Sequence, residues 1–371
     1  MKKSLIAIAA LAAAGAAAAQ SSVTMYGQVN TGYEYSKTDS TDKAGKKTTT
    51  KTTGFQNDRV KTSRLGFKGE EALGNGLSAT FALEMGFNAN DGTFKSGAAF
   101  DRKATVGLKG AFGEVRIGKD STPMNEFDGS FKAIDRTASL AQIDVNNDGE
   151  IKPKDDLDAA FTARPTGLFY NGTFSGVSVS AAIGNNSERT KTEDVTTKKD
   201  DSAVYGLGLG YNGGAWAVGA AFQHETKKGF DNIVTPVEEA HDGKVTNYGV
   251  GASYDFTVAK VYGQYKGGQY KNKLPAGGKY SYDQFAIGVS APFGATTLSA
   301  EYGYNKAKQT ADTTANVTKF KGNVFAVQAE YAFSKRTSLV ARAGQVANWK
   351  NKTTNDKSST QEYTVGLRHK F

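Results

Sequence analysis

The chain has no cysteine, only 6 Pro, 3 His and 2 Trp in 371 residues, and one long apolar run, at its N-terminus. Without Cys there is no disulfide scaffold, no thiol nucleophile and no thiolate metal site. Three His (His224, His241 and His369) leave little for imidazole catalysis or zinc, and no Ser/His/Asp set is in view. The lack of further apolar runs excludes a helical membrane protein. Mean hydropathy is −0.48, which alone suggests a soluble chain. What is abundant is glycine, 43 residues, well above the usual share of roughly 7%. Phe (21) and Tyr (17) are also frequent.

The apolar run reads as an export signal. Lys2 and Lys3 precede Leu5–Leu11, and small residues end in Ala17-Ala18-Ala19. This is the pattern of a secretory signal peptide, 1–19, with mature residues 20–371. Cleavage removes two lysines, so the formal charge falls from +9 to +7. A basic balance is the footprint of nucleic-acid binding, but export argues against that partner. Export and the absence of Cys together fit a bacterial cell envelope.

Beyond the signal the hydrophobic period is two. Leu77, Ala79, Phe81, Leu83 and Met85 alternate with Ser78, Thr80 and Glu84. Tyr248, Val250, Ala252 and Tyr254 repeat the pattern, as do Phe325, Val327, Ala329 and Tyr331. Strict alternation gives each strand one apolar and one polar face. A soluble sandwich shows it too, so the connections must decide. Short ones hold turn formers, such as Gly74-Asn75-Gly76 and Asn212-Gly213-Gly214; long ones are polar, for example 36–56, 119–163, 184–202 and 225–245. Long loops at one end, tight turns at the other and roughly sixteen strands describe an all-β, antiparallel transmembrane β-barrel. Only alternate residues then face lipid, which reconciles a membrane protein with negative hydropathy. Closure pairs every backbone group and leaves no edge. The last strand ends on Phe371.

QSSVTMYGQVNTGYEY, TSRLGFKGEEALGNGLSATFALEMGFN, GLKGAFGEVRIGKDSTP, SKRTSL and VGLRHKF resemble the general-diffusion porins of β-proteobacteria. The motifs run from residue 20 to 371, the whole mature chain. The resemblance implies a sixteen-stranded barrel in the outer membrane, a homotrimer, and a third loop folded into the lumen that narrows a passive channel for ions and small hydrophilic solutes. It also implies that Phe371 serves as the insertion signal read by the barrel assembly machinery. By position, Arg64, Arg102 and Arg164 line the constriction with a carboxylate at Glu84. Parity supports Glu84 as a lumen residue. It does not support Arg102, which shares parity with Val106 and Leu108; either a bulge intervenes or Lys103 is the lumen residue, so both stay as candidates.

The third loop, about 119–163, carries ten acids against five bases inside a basic protein. Glu126, Asp128 and Asp135 are its constriction candidates. Acids facing guanidiniums set up a transverse field, and basic rings favour anions; the expectation is a weak anion preference. Residues 144–155, DVNNDGEIKPKD, match the twelve-residue calcium loop. Asp144, Asn146, Asp148 and Glu150 fall at positions 1, 3, 5 and 7, Gly149 at 6, and Asp155 stands where Glu is usual, with Asp156 adjacent. No EF-hand helices flank it, and Pro153 would end one. Ca²⁺ is therefore expected to clip an isolated loop. The first loop, rich in Lys, reads as solvated surface or as a contact for anionic lipopolysaccharide. A solute-specific channel, a surface adhesin barrel and an envelope enzyme are the competing readings; the enzyme lacks a placed nucleophile and base.

Overall fold

A computed structural model describes residues 22–371 apart from 43, 59, 97, 135–142, 146–150, 154–163, 193–194, 232–238, 273–277, 312–316 and 352–355. The signal segment 1–19 lies outside the described residues, as do Asp135, Asn146, Asp148, Glu150, Asp155 and Asp156.

Sixteen antiparallel strands close into one barrel. β1 is Ser22–Thr41, and β2 comes in two pieces, Lys47–Asn57 and Arg64–Gly74. β3 (Leu77–Gly86), β4 (Lys103–Gly110) and β5 (Gly113–Lys119) follow. A short helix, α1 (Pro123–Asp128), opens the third loop. The wall resumes with β6 (Thr166–Phe174), β7 (Val177–Thr192), β8 (Val195–Asn212), β9 (Trp216–Asp231) and β10 (Glu239–Asp255). It ends with β11 (Lys260–Asn272), β12 (Gly278–Phe293), β13 (Thr296–Ala311), β14 (Val317–Ala332), β15 (Thr337–Asn351) and β16 (Lys357–Lys370). Each strand pairs with its sequence neighbour, and β16 returns to β1 from Gln28↔Lys370 to Thr41↔Lys357. Phe371 extends that seam: its N–H donates to the Gly27 carbonyl and its carbonyl accepts from the Gly27 N–H, at 3.2 and 3.1 Å. The terminal ring lies over Gly27, where a Cβ would sit 2.7 Å from it.

Alternation sorts the wall as the residue pattern predicts. Tyr248, Val250, Tyr254, Phe325, Val327 and Tyr331 are exposed on the outer face, which meets lipid. Their neighbours Asn247, Gln264, Gln284 and Glu301 point inward and are buried.

Two details differ from the residue pattern. Strands run on into segments expected as loops: β1 reaches Thr41, β7 Thr192, and β8 starts at Val195. Above the membrane a hairpin needs no apolar face, so the strand continues where alternation stops. β2 is also interrupted. Asp58 takes φ +58° and is buried; its Oδ1 accepts from the Ser63 N–H at 2.6 Å, and its other oxygen pairs with Lys95. Asn30 on β1 clips the gap, its Oδ1 accepting from the Val60 N–H at 3.2 Å.

Candidate constriction on the inner wall

Three groups of charges line the inner wall, each built as one carboxylate between two cations. In the first, Glu84 on β3 lies 2.6 Å from Arg102 Nε and 3.8 Å from Arg64 Nε. Tyr26 on β1 hydrogen-bonds the same carboxylate. Arg64 opens the second piece of β2, with the parity of Gly66, which pairs with Glu84. The parity conflict at Arg102 has a simple cause. β4 starts at Lys103, in register with Glu84, so Arg102 lies before the strand and its outward row. Its N–H donates to the Glu84 carbonyl at 3.2 Å. Asp101 fixes the turn, its Oδ1 accepting from the Gly86 N–H at 2.8 Å.

In the second group, Asp120 is fully buried between Lys103 Nζ at 2.8 Å and Arg116 Nε at 3.0 Å. Arg116 also reaches Glu114 at 2.6 Å and donates to Asn171 Oδ1 at 2.7 Å. The residues at 102 and 103 thus pair with different carboxylates, Arg102 with Glu84 and Lys103 with Asp120. Arg164 is half-buried where the loop returns to the wall, beside Pro165, whose carbonyl accepts from the Asp120 N–H at 3.3 Å.

The third group belongs to the loop. Asp128 ends α1 and pairs with Lys132 at 2.8 Å and with Lys266 of β11, a buried lysine. Burial alone would raise the Asp128 carboxyl, but the two ammoniums win and hold it well below the ordinary carboxylate value. Glu126, two residues earlier, is exposed. Protein packed around it pushes its carboxyl up; Asp120 adds to this, and Lys103 and Arg116 oppose it.

α1 is set locally. Thr122 caps it, its Oγ1 accepting from the Asn125 N–H at 3.3 Å, and Pro123 begins the first turn. The helix buries Met124 and Phe127, which cluster with Phe131 and Ala221. Farther on, Glu301 of β13 accepts from the Ala133 and Ile134 N–H groups at 2.9 and 3.0 Å. So residues 120–134 lie against inward-facing rows of the wall.

The family resemblance names Arg64, Glu84, Arg102 and Arg164 for this surface, parity adds Lys103, and the acidic loop supplies Glu126 and Asp128. They pass over Arg116, Lys266 and Glu301. Their signal was a charged side chain at the inward parity of an otherwise apolar-alternating strand. Of the residues expected as calcium ligands, Asp144 lies in a small hairpin, Ile143–Val145 with Ile151–Pro153, where its backbone pairs with Lys152; the other five lie outside the described residues.

A model of the Gram-negative porin family matches residues 5–354. The chain is 33% identical to outer membrane porin protein 32 of Delftia acidovorans, over 79% of this chain and 77% of that protein. Its fold resembles that of the anion-selective porin from Comamonas acidovorans, with a TM-score of 0.66 and 23% identity, covering 95% of this chain and all of the other. It also resembles the trimer form of OmpT from Vibrio cholerae, with a TM-score of 0.63 and 17% identity, over 95% of this chain and 99% of that one.

Proposed function

We propose, from the premise that this chain belongs to the Gram-negative porin family and is an outer-membrane β-barrel channel, that it works as a general-diffusion porin whose third loop narrows the lumen. The observation that carries this reading is the position of residues 120–134: they lie against the inner wall, with loop acids and wall cations interleaved. A solute passing such a region meets fixed charges of both signs. Small hydrophilic molecules keep their hydrogen bonds there, and larger ones are excluded by size. The role is transport without chemistry.

Selectivity is expected to be a weak anion preference. The first and third groups each have one more cation than carboxylate, the second is balanced once Glu114 is counted, and Glu126 and Glu301 offset the surplus, so the charges here argue for weakness of any preference. The sign follows the similar porin of Comamonas, which is anion-selective. A homotrimer is the expected assembly, in keeping with the trimer form of the Vibrio protein. Segment 1–19 is removed on export, Phe371 is read by the assembly machinery, and the basic first loop meets lipopolysaccharide. Ca²⁺ is assigned to residues 144–156, on the strength of the ligand spacing; it would stiffen the far half of the third loop. Liposome swelling tests the channel reading: reconstituted protein should admit small sugars at rates that fall steeply with size. Swelling no faster than in protein-free liposomes would end it.

A further inference from the structure

On the inner wall, glycine recurs at several places where residues 123–133 of the third loop touch it. A Cβ at Gly249 of β10 would lie 2.3 Å from the Phe127 ring, and one at Gly251 would lie 2.5 Å from the Phe131 ring. At Gly219 of β9 it would meet Phe131 at 2.9 Å, and at Gly288 of β12 it would meet the Ala133 Cβ at 2.6 Å. At Gly206 and Gly208 of β8 a Cβ would meet Pro123 at 2.9 and 3.0 Å, and at Gly208 it would also crowd Ser180 Oγ of the wall at 2.4 Å. None of the six has a positive φ. Backbone conformation does not require glycine at these places; the space taken by the loop does. The sequence alone shows Gly206 and Gly208 only as a strand's small face. Four strands, β8, β9, β10 and β12, turn such faces to one loop.

The track is also bounded by polar fixtures. Lys266, next to Gly249 in register, holds Asp128, and Glu301, next to Gly288 in register, holds the Ala133 and Ile134 N–H groups. Both side chains are buried and lie on the same inward rows as the glycines. Apolar side chains thus drop into a groove of missing Cβ atoms, and charged groups fix where along the groove they sit.

We infer that this glycine track, with Lys266 and Glu301, sets how far the third loop stands from the wall, and so determines the cross-section and size selectivity of the channel. These residues act through the loop, without touching solute. The inference rests on the general-diffusion reading. It adds that the size limit is encoded on the wall opposite the arginines. A single methyl at Gly249 forces the Phe127 ring back by about 1 Å, from 2.3 Å to an ordinary 3.4 Å contact. The wall cannot yield outward without breaking its ladder, so the loop moves into the lumen.

The test is single-channel conductance together with liposome swelling for a graded sugar series. Gly249→Ala and Gly288→Ala should lower conductance and cut uptake of the largest admitted sugar more than that of the smallest. Gly210→Ala is the control. It shares the inward row of Gly208, but a Cβ there meets nothing closer than 3.7 Å, so both readouts should stay at the unmodified level. Phe127→Ala added to Gly249→Ala removes the clash and should restore conductance toward or above that of the parent, a non-additive pair. If Gly249→Ala fails to fold, Phe127→Ala alone carries the test, by raising conductance and admitting larger sugars. Parent-like conductance and size limit in folded Gly249→Ala, or in Phe127→Ala, would overturn the inference while the channel reading stands. A parent protein that neither conducts nor swells liposomes would instead remove the channel reading itself.

Discussion

Asp128→Asn offers a direct measure of how firmly the third loop is held. The carboxylate sits between Lys132 and Lys266, whose side chains are each only 4% exposed. Replacing it leaves two ammoniums facing one another with little water to screen them. Breaking one partner out of a buried pair costs about 3–5 kcal/mol. The Asp128 side chain is 26% exposed, so the lower end, about 3 kcal/mol, is the reasonable figure. The remaining contacts still favour the seated loop. Burial of Phe127 and Phe131 contributes roughly 1.5–3 kcal/mol each, and each hydrogen bond to the Glu301 carboxylate about 1.5–3 kcal/mol. The loop therefore stays seated on average but opens about a hundred times more often. Amide hydrogen exchange at Ala133 and Ile134 reads this opening, because both N–H groups donate to Glu301 only when the loop is in place. Exchange there should accelerate about a hundredfold, while amides in the β12–β13 ladder keep their rates. Adding Lys266→Met, which removes one stranded ammonium, should recover part of the protection. Exchange within threefold of the parent would show that the Asp128 group does not hold the loop.

Other outcomes follow from the same geometry. The Glu126 carboxyl lies above its ordinary value, so as pH falls it loses its charge before an ordinary glutamate would, near pH 4.3. Reversal potential in a salt gradient should then move toward anions at a pH above that value, and Glu126→Gln should abolish the shift. Asp128 behaves oppositely: its carboxyl is depressed, so its stabilisation is complete above the unfolded value of about 3.9 and is lost only as pH falls through the lower folded value. Loop protection measured by exchange should thus persist at pH 4. Arg64→Gln with Arg102→Gln removes the two cations paired with Glu84 and should shift the reversal potential toward cations; an unchanged potential would mean that these guanidiniums do not face the permeation path. Isothermal titration of chelated protein with Ca²⁺ should give binding heat that Asp144→Ala abolishes; no heat in the parent would remove calcium from the account.

Much of the barrel is legible in the residues because strand alternation is a local signal. Leu77 to Met85 or Tyr248 to Tyr254 carry their two faces within one short segment, and closure follows from the lack of any other way to satisfy the backbone. Glu84 is placed by its parity for the same reason, whereas Arg64 enters only through the family resemblance. Lys103 and Arg102 were ambiguous because parity holds only inside a strand, and the strand's start at residue 103 is fixed by its pairing with Glu84 across a loop. The seat of the third loop was not legible at all. Phe127 meets Gly249 and Ile134 meets Glu301, contacts separated by more than a hundred residues and made only once strands far apart in the chain are curved around one lumen. The strand ends above the membrane escaped for the opposite reason: there the apolar face is no longer needed, so periodicity fades while pairing continues.

The central claim, a passive channel narrowed by a wall-seated loop, meets its most direct test in planar bilayers. Purified protein added at low concentration should insert in groups of three equal ohmic steps, with a slightly larger permeability to chloride than to potassium. Insertion without conductance would contradict the account.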